Sequence, residues 1–478
     1  SQPLYAASGA LNTAAYGYCP NWAAGEGRCR QDGTISFNTL MDPRTRMYGT
    51  GSRNRFGASV RGGNADVRFF FSGQFEDETG IISYNTQEKA NIRANIDAKL
   101  SESVDASVSI GYTNSTLGLN SNDNSIFSPL IQGLLGLPFY LQPNDDGSVN
   151  ASNYGFGFSI EDLSNLIAFQ DTDRFTSSAN LRWRPTSWLQ FNANGGLDIA
   201  NLHDYETLQP GKLPIAVSYA RGYRQSQRST AINYTAIFSG VGTFQLTDDV
   251  VSTTTVGTAY GQENSRNTYC YGSSLVPGTG SCGTAASLFD VDEDFFEVKT
   301  VGIYAQQELA WRDRVFFGAS IRGDNTSTFG SDLGFQYFPS ASVSWMLSEE
   351  EFFPDLSFLS AFRVRTAWGQ AGLRPGFRQA VTLFSPTTVA VNGGDQPGVA
   401  LSTTGNDLLK QETTTEIEFG FDAGLFGDRV SLDFTYYDKE SQDALISRRL
   451  PGSLGLTTSV LQNLGSIRNW GTELSMRI

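Results

Sequence analysis

Residues 90 to 100 alternate without a fault. Ile92, Ala94, Ile96, Ala98 and Leu100 are apolar, while Asn91, Arg93, Asn95, Asp97 and Lys99 between them are polar or charged. Successive side chains of a strand point to opposite faces, so this stretch predicts a strand with one apolar and one charged face. Val67, Phe69, Phe71 and Phe75 alternate in the same way with Arg68, Ser72, Gln74 and Glu76. Leu189, Phe191, Ala193, Leu197 and Ile199 do so with Gln190, Asn192, Asn194 and Asp198. Further on, Val301, Ile303, Ala305, Leu309 and Trp311 oppose Thr300, Tyr304, Gln306 and Glu308. Ile417, Phe419, Phe421, Ala423 and Leu425 oppose Glu416, Glu418 and Asp422, and Val430, Leu432, Phe434 and Tyr436 follow directly. About fifteen such strands are expected, the pattern being weakest across residues 230 to 260, where Thr and Ser runs blur it.

The connections alternate between very short and long. Tight turns are expected at Gly63-Asn64, Ser101-Glu102, Pro185-Thr186, Asp248-Asp249, Asp313-Arg314 and Gly427-Asp428. Between them lie long Asn-, Gly-, Ser- and Pro-rich segments near residues 115 to 174, 200 to 229, 261 to 296, 370 to 410 and 440 to 464. Short turns on one side and long loops on the other are the asymmetry of an outer-membrane barrel, whose strands need only about ten residues with every second one apolar. Trp183 and Trp188 flank the turn at Pro185, Trp311 abuts the turn at Asp313, and Trp345 lies just before Ser348. An interfacial aromatic girdle asks for these positions, and a soluble core is the alternative use of the same rings. Two loop segments carry helical spacing: Ile126, Leu130, Ile131 and Leu134, and a capping pair Ser159 and Asp162 ahead of Leu163, Leu166 and Ile167. Ser348-Glu349-Glu350-Glu351, before Phe352 and Phe353, opens a further short helix on the turn side.

Composition agrees with an all-β chain. In 478 residues there are 50 glycines, 12% aromatic residues and only 17% charged ones, less charge than a helical enzyme carries. No run of 18 or more apolar residues is present, which excludes transmembrane helices and leaves a strand-crossed membrane open. The net charge of −15 argues against nucleic acid as a partner. The four cysteines fall as two close pairs, Cys19 with Cys29 and Cys270 with Cys282, each in a loop-like segment. These spacings suit disulfides in an oxidising compartment, with free thiols as the alternative, and do not suit a zinc site.

Little catalytic chemistry is visible. The single histidine, His203 beside Asp204, allows neither a two-histidine metal site nor, without a nucleophile elbow, a hydrolase triad. The Gly278, Gly280, Gly283 spacing sits in a loop around Cys282 and opens no helix, so it is no nucleotide fingerprint. No cofactor is expected. Asp145 and Asp146, and Asp290, Asp292 and Asp294, offer oxygens to a calcium ion, but neither cluster forms a full calcium loop and solvated turns explain both. Candidate substrate contacts are the loop aromatics Tyr18 and Trp22, near the first cysteine pair, and Tyr154, Phe156 and Phe158, with loop packing as the equal alternative.

From Thr300 the chain reads TVGIYAQQELAWRDRVFFGASIRGDNTSTFG, then YFPSASVSWMLSEEEFF, then FRVRTAWGQAG. It continues in LLKQETTTEIEFGFDAGLFGDRVSLDFTYYDKESQDALI and NLGSIRNWGTEL, with FGASVRGGNADVRFFFSGQFEDETGI upstream. This order of strands and turns resembles the SusC/RagA family of TonB-dependent nutrient transporters over roughly two thirds of the chain. The resemblance implies a bacterial outer-membrane barrel of about 22 strands around an N-terminal plug, working with outer-membrane lipid, a SusD-like lipoprotein lid and TonB. The expected layout is one incomplete barrel domain over residues 1 to 478, with a leading segment and first outer loop over 1 to 55 and barrel strands over 56 to 478. The plug, the segment that would meet TonB and the last strands are expected outside it. The function implied is import of a bulky nutrient, an oligosaccharide or a peptide, without covalent chemistry. A passive porin, or a partner-binding surface barrel without transport, remains the alternative.

Overall fold

A computed structural model describes residues 2–7, 26–27, 29–35, 48–122, 124–135, 160–212, 220–329, 334–454 and 459–478. Two short strands come first, β1 (Gln2–Ala7) and β2 (Cys29–Ile35), paired as a separate ribbon. The wall begins with β3 (Ser52–Gly63), β4 (Val67–Thr79), β5 (Thr86–Ser101) and β6 (Val104–Gly118). Helices α1 (Pro129–Leu135) and α2 (Ile160–Ser164) follow in the long connection to β7 (Leu166–Trp183). Then come β8 (Leu189–Leu208), β9 (Tyr223–Thr247), β10 (Val250–Leu275), β11 (Ala285–Trp311), β12 (Val315–Thr326), β13 (Gln336–Met346) and β14 (Leu359–Leu373). The hairpin β15 (Leu383–Val391) and β16 (Gly394–Thr403) precedes β17 (Glu412–Leu425) and β18 (Val430–Gln442). The hairpin β19 (Leu445–Arg449) and β20 (Ser459–Asn463) precedes β21 (Ser466–Arg477).

Fifteen strands form one antiparallel sheet in the order β21-β18-β17-β14 and then back one by one from β13 to β3. The hairpins β15-β16 and β19-β20 stand outside it as ribbons within long loops. Among the described residues the edge strands β3 and β21 do not pair with each other. The sheet is a single layer. Ile92 is 62% exposed and Phe419 49% exposed, so the apolar face opens outward and no second sheet among the described residues covers it.

All six expected tight turns fall between strand ends. At Asp313 the chain turns through the left-handed region at Arg312 and Asp313, and at the β17-β18 turn through Phe426, Gly427 and Asp428. Gly63 ends β3 at φ 142°, where a Cβ would come within 2.1 Å of the Val67 carbonyl oxygen; only glycine fits there.

Four expectations need correction. The segment 261 to 296 is mostly strand, because β10 and β11 run 26 and 27 residues and stay paired from Val250–Trp311 to Leu275–Ala285, and strand likewise takes residues 166–174, 200–208 and 223–229 of the expected loops 115 to 174 and 200 to 229. Above the lipid both faces of a strand are wet, so the polar alternation disappears while main-chain pairing continues; from sequence such a stretch looks like loop. For the same reason Cys270 lies within β10 and the run from Asp290 to Asp294 lies within β11. The second helical segment is one turn long, and Leu166 and Ile167 already belong to β7. Leu347–Glu349 forms the short turn-side helix as a 3-10 turn rather than a helix opened by Ser348.

Candidate functional site

Register fixes which side chains share a face. Trp311 stands opposite Val315, Val315 opposite Trp345, Trp345 opposite Val364, Val364 opposite Phe421, Phe421 opposite Phe434 and Phe434 opposite Leu474. An apolar row thus runs sideways across seven strands on the outward face. Its other rim is set by Tyr112 opposite Phe175, with Ile199 opposite Phe175 and Ile232. From Leu189 to Ile199 there are about ten residues, the length that crosses a bilayer core at a tilt.

Aromatic rings mark the turn-side rim. Trp183 packs on Phe191 at 5.4 Å between centroids, and Trp188 on Phe244 at 5.2 Å. The Arg312 guanidinium lies 5.1 Å from the Trp311 ring, and Trp345 Nε1 donates to Glu350 Oε1 at 3.0 Å. Rings with one wet edge belong at a membrane interface. Inside the outward band a few polar groups satisfy one another: Thr254 Oγ1 donates to Gln307 Oε1 at 2.6 Å, and Gln307 Nε2 donates to Ser252 Oγ at 2.8 Å.

The inward face is polar and ion-paired. Glu76, nearly fully buried, takes Arg55 Nε at 3.0 Å and also pairs with Arg53. Arg174 grips Asp198 with two bonds of 2.9 and 2.6 Å. Arg363 binds Asp422 at 2.7 Å, while Arg365 reaches Asp433 at 3.0 Å and Thr435 at 2.7 Å. Two concavities along this wall are larger than a third beside Arg68, Asp97 and Arg182. One, of about 500 Å³, opens near the short turns beside Phe316, Ser342, Arg363, Arg365 and Glu418. The other, of about 750 Å³, lies on β3 to β7 beside Ser59, Gln74, Asn91, Arg93, Gly111 and Arg174.

At the loop end, a small core of Leu163, Leu166, Leu208 and Tyr223 ties α2, β7, β8 and β9 together, with Tyr84, Phe127 and Tyr271 packed on it. Burial there pushes the Tyr84 hydroxyl up to about 12. Cys270 and Cys282 are joined by a disulfide of S–S distance 2.14 Å across the β10-β11 connection. Gln209 fastens that connection from a second side, donating to the Thr279 carbonyl at 2.7 Å and accepting from Gly278 N at 3.2 Å. His203, above the apolar band, is 2.9 Å from Ser226 Oγ and packs at a tilt against Tyr205, 4.9 Å between ring centroids. Burial and the nearby Arg228 and Arg224 charges hold its imidazole below the usual range.

Several sequence candidates fall elsewhere. Tyr18, Cys19, Trp22, Asp145, Asp146, Tyr154, Phe156 and Phe158 lie outside the described residues, so the Cys19 and Cys29 pairing lies outside them too. Asp290, Asp292 and Asp294 share the inward face of β11, spaced roughly 7 Å apart along a strand, too far to close on one ion. Among the described residues no group of three or more carboxylates, cysteines or histidines is placed to hold a metal. The inward ion-pair lattice escaped sequence reading because each partner sits on a different strand; only the alternation of charged positions hinted at it.

A profile of the family described as TonB dependent receptor-like, beta-barrel, matches residues 111–478. TonB-dependent receptor P3 of Formosa agariphila is 22% identical over 454 residues, covering 90% of this chain and 44% of that protein. TonB-dependent receptor SusC of Bacteroides thetaiotaomicron is 27% identical over 186 residues, covering 37% of this chain and 18% of that protein. Among solved structures, the RagAB peptide importer in its closed-closed state superposes with a TM-score of 0.78 at 19% identity, over 93% of this chain and 50% of that one. The chain spans less than half the length of the curated relatives it matches.

Proposed function

The chain belongs to the TonB-dependent receptor-like β-barrel family, and on that premise we propose that it forms barrel wall in a transporter importing a bulky nutrient across the bacterial outer membrane. The observation that carries this reading is the two-faced sheet, with its apolar outward row from Trp311 to Leu474 and its ion-paired inward face. Lipid accepts the first face and a water-filled passage the second. The edges β3 and β21 need strand partners in lipid, where an unpaired main-chain group costs several kcal/mol, roughly. Cargo meets the outer loops first, the Cys270 to Cys282 bond holding one of them, and passes along the polar wall. Members of this family carry cargo and do not transform it.

Energy would reach the barrel from TonB through a plug, and a SusD-like lipoprotein would close the outer mouth. The likeness to SusC and to RagAB supports that partner. So does the β15-β16 hairpin, which holds Phe384 and Val399 at 62% and 74% exposure with no covering element among the described residues. The cargo class follows the same likenesses: oligosaccharide or peptide.

Deletion of the complete gene, followed by uptake of labelled oligosaccharide and peptide pools, tests the reading. Uptake that vanishes in the deletion strain and on collapse of the proton gradient is expected. Uptake that persists without the gradient makes the protein a passive pore, and unchanged uptake in the deletion strain removes transport altogether.

A further inference from the structure

The inward face changes charge around the sheet. On β3 to β7, Arg61, Arg68, Lys89, Arg93 and Arg182 point inward and close no ion pair among the described residues. On β8 to β17 the same face carries Glu206, Asp290, Asp292, Asp294, Glu308 and Glu418. Asp97 and Asp105 share the inward face of β5 and β6, and Arg363 and Arg365 that of β14, so the first strands carry a strip that is cationic on balance and acids outnumber cations further round.

Arg93 is the member of that strip best placed to bind. It stands opposite Ser72 on one side and Gly111 on the other, and Gly111 in turn stands opposite Thr176. A Cβ at Gly111 would come within 2.8 Å of Thr176 Oγ1, so the glycine makes room for that hydroxyl beside Arg93. The neighbouring cation in the same concavity, Arg174, is already committed to Asp198. Thr113 Oγ1 donates to Asn91 Oδ1 at 2.8 Å, which leaves the Asn91 amide to donate inward. Among the described residues the concavity thus offers one guanidinium outside any ion pair, neutral donors around it and about 750 Å³ of space.

We propose that this concavity receives the terminal carboxylate of a short peptide in transit, with Arg93 as its charged anchor. A guanidinium presents paired donors that match a carboxylate. The acids elsewhere on the wall favour the ammonium of the same zwitterion and repel a polyuronate, whose charges are all negative. The proposal rests on the import reading and narrows its cargo.

The test is calorimetry on the complete protein in detergent, with trialanine, trialanine amide, trigalacturonate and maltotriose as probes, against wild type and Arg93→Gln. Charge-assisted bonds of this kind set the expected scale at about tenfold in affinity. Trialanine should bind wild type about tenfold tighter than its amide, and Arg93→Gln should lose that factor and no longer distinguish the two. Arg93→Lys should restore part of it. Equal loss on amidation in both proteins, no trialanine binding, or tighter binding of trigalacturonate overturns the proposal. Gradient-dependent uptake of maltotriose with no peptide binding would leave import standing and remove only this assignment.

Discussion

Ile96 lies mid-strand in β5, opposite Phe69 and Val108, and is 40% exposed on the outward face. Its neighbour Asn95 points to the other face. Placing arginine at each position separates membrane wall from soluble sheet. At the midplane of a bilayer a lipid-facing arginine costs about 2 to 4 kcal/mol, which is roughly 30- to 1,000-fold in the folding constant. A lumenal arginine meets water and costs about 0.5 kcal/mol or less, as on any wet surface. The assay is guanidinium unfolding of the complete protein in phospholipid vesicles, followed by tryptophan fluorescence. Ile96→Arg should lower stability by the larger amount and Asn95→Arg by little. Equal costs for both, or a cost at Asn95 alone, would refute the face assignment, because on a soluble sheet the exposed Ile96 would accept arginine freely.

Four further outcomes follow from local geometry. Replacing Cys270 and Cys282 with serine should weaken the loop end by about 3 kcal/mol, the chain-entropy value for a loop of this length, read as faster hydrogen exchange in upper β10 and β11 with the lower strands unchanged. Gln307→Leu alone should cost about 1 kcal/mol by stranding Ser252 and Thr254, whereas combining it with Ser252→Ala and Thr254→Val should bring denaturant midpoints back to wild type. Gly63→Ala should destabilise by about 2 kcal/mol and shift hydrogen exchange at the β3-β4 turn, since alanine cannot hold that backbone angle. The Tyr84 hydroxyl titrates higher folded than unfolded, so its stabilisation is complete below its ordinary value near 10 and is lost as pH climbs toward about 12. Tyr84→Phe should therefore flatten the alkaline loss of protection at the loop-end core.

What could be read from sequence followed the solvent on each side of a strand. Where one face meets lipid, as from Ile92 to Leu100 or Ile417 to Leu425, alternation is strict and the strands emerged at once. Where both faces are wet, as around Cys270 or Asp292, nothing in the residue order separates strand from loop, and only the pairing of β10 with β9 and with β11 reveals it. The turns were visible because Gly63, Asp313 and Gly427 sit where left-handed or special angles are needed. The inward ion pairs were not, since Arg174 and Asp198, or Arg365 and Asp433, become neighbours only through register. The concavity at Arg93 was hidden for the same reason: Ser72, Gly111 and Thr176 come together beside Arg93 only through register.

Single nitroxide labels placed in turn at every position from Ala90 to Leu100, in the complete protein in vesicles, would measure the two faces directly. Collision rates with oxygen, which partitions into lipid, should peak at 90, 92, 94, 96, 98 and 100, and those with a water-soluble nickel chelate at 91, 93, 95, 97 and 99. A profile in which both families of positions meet the nickel chelate alike would contradict the membrane wall on which the transport reading stands.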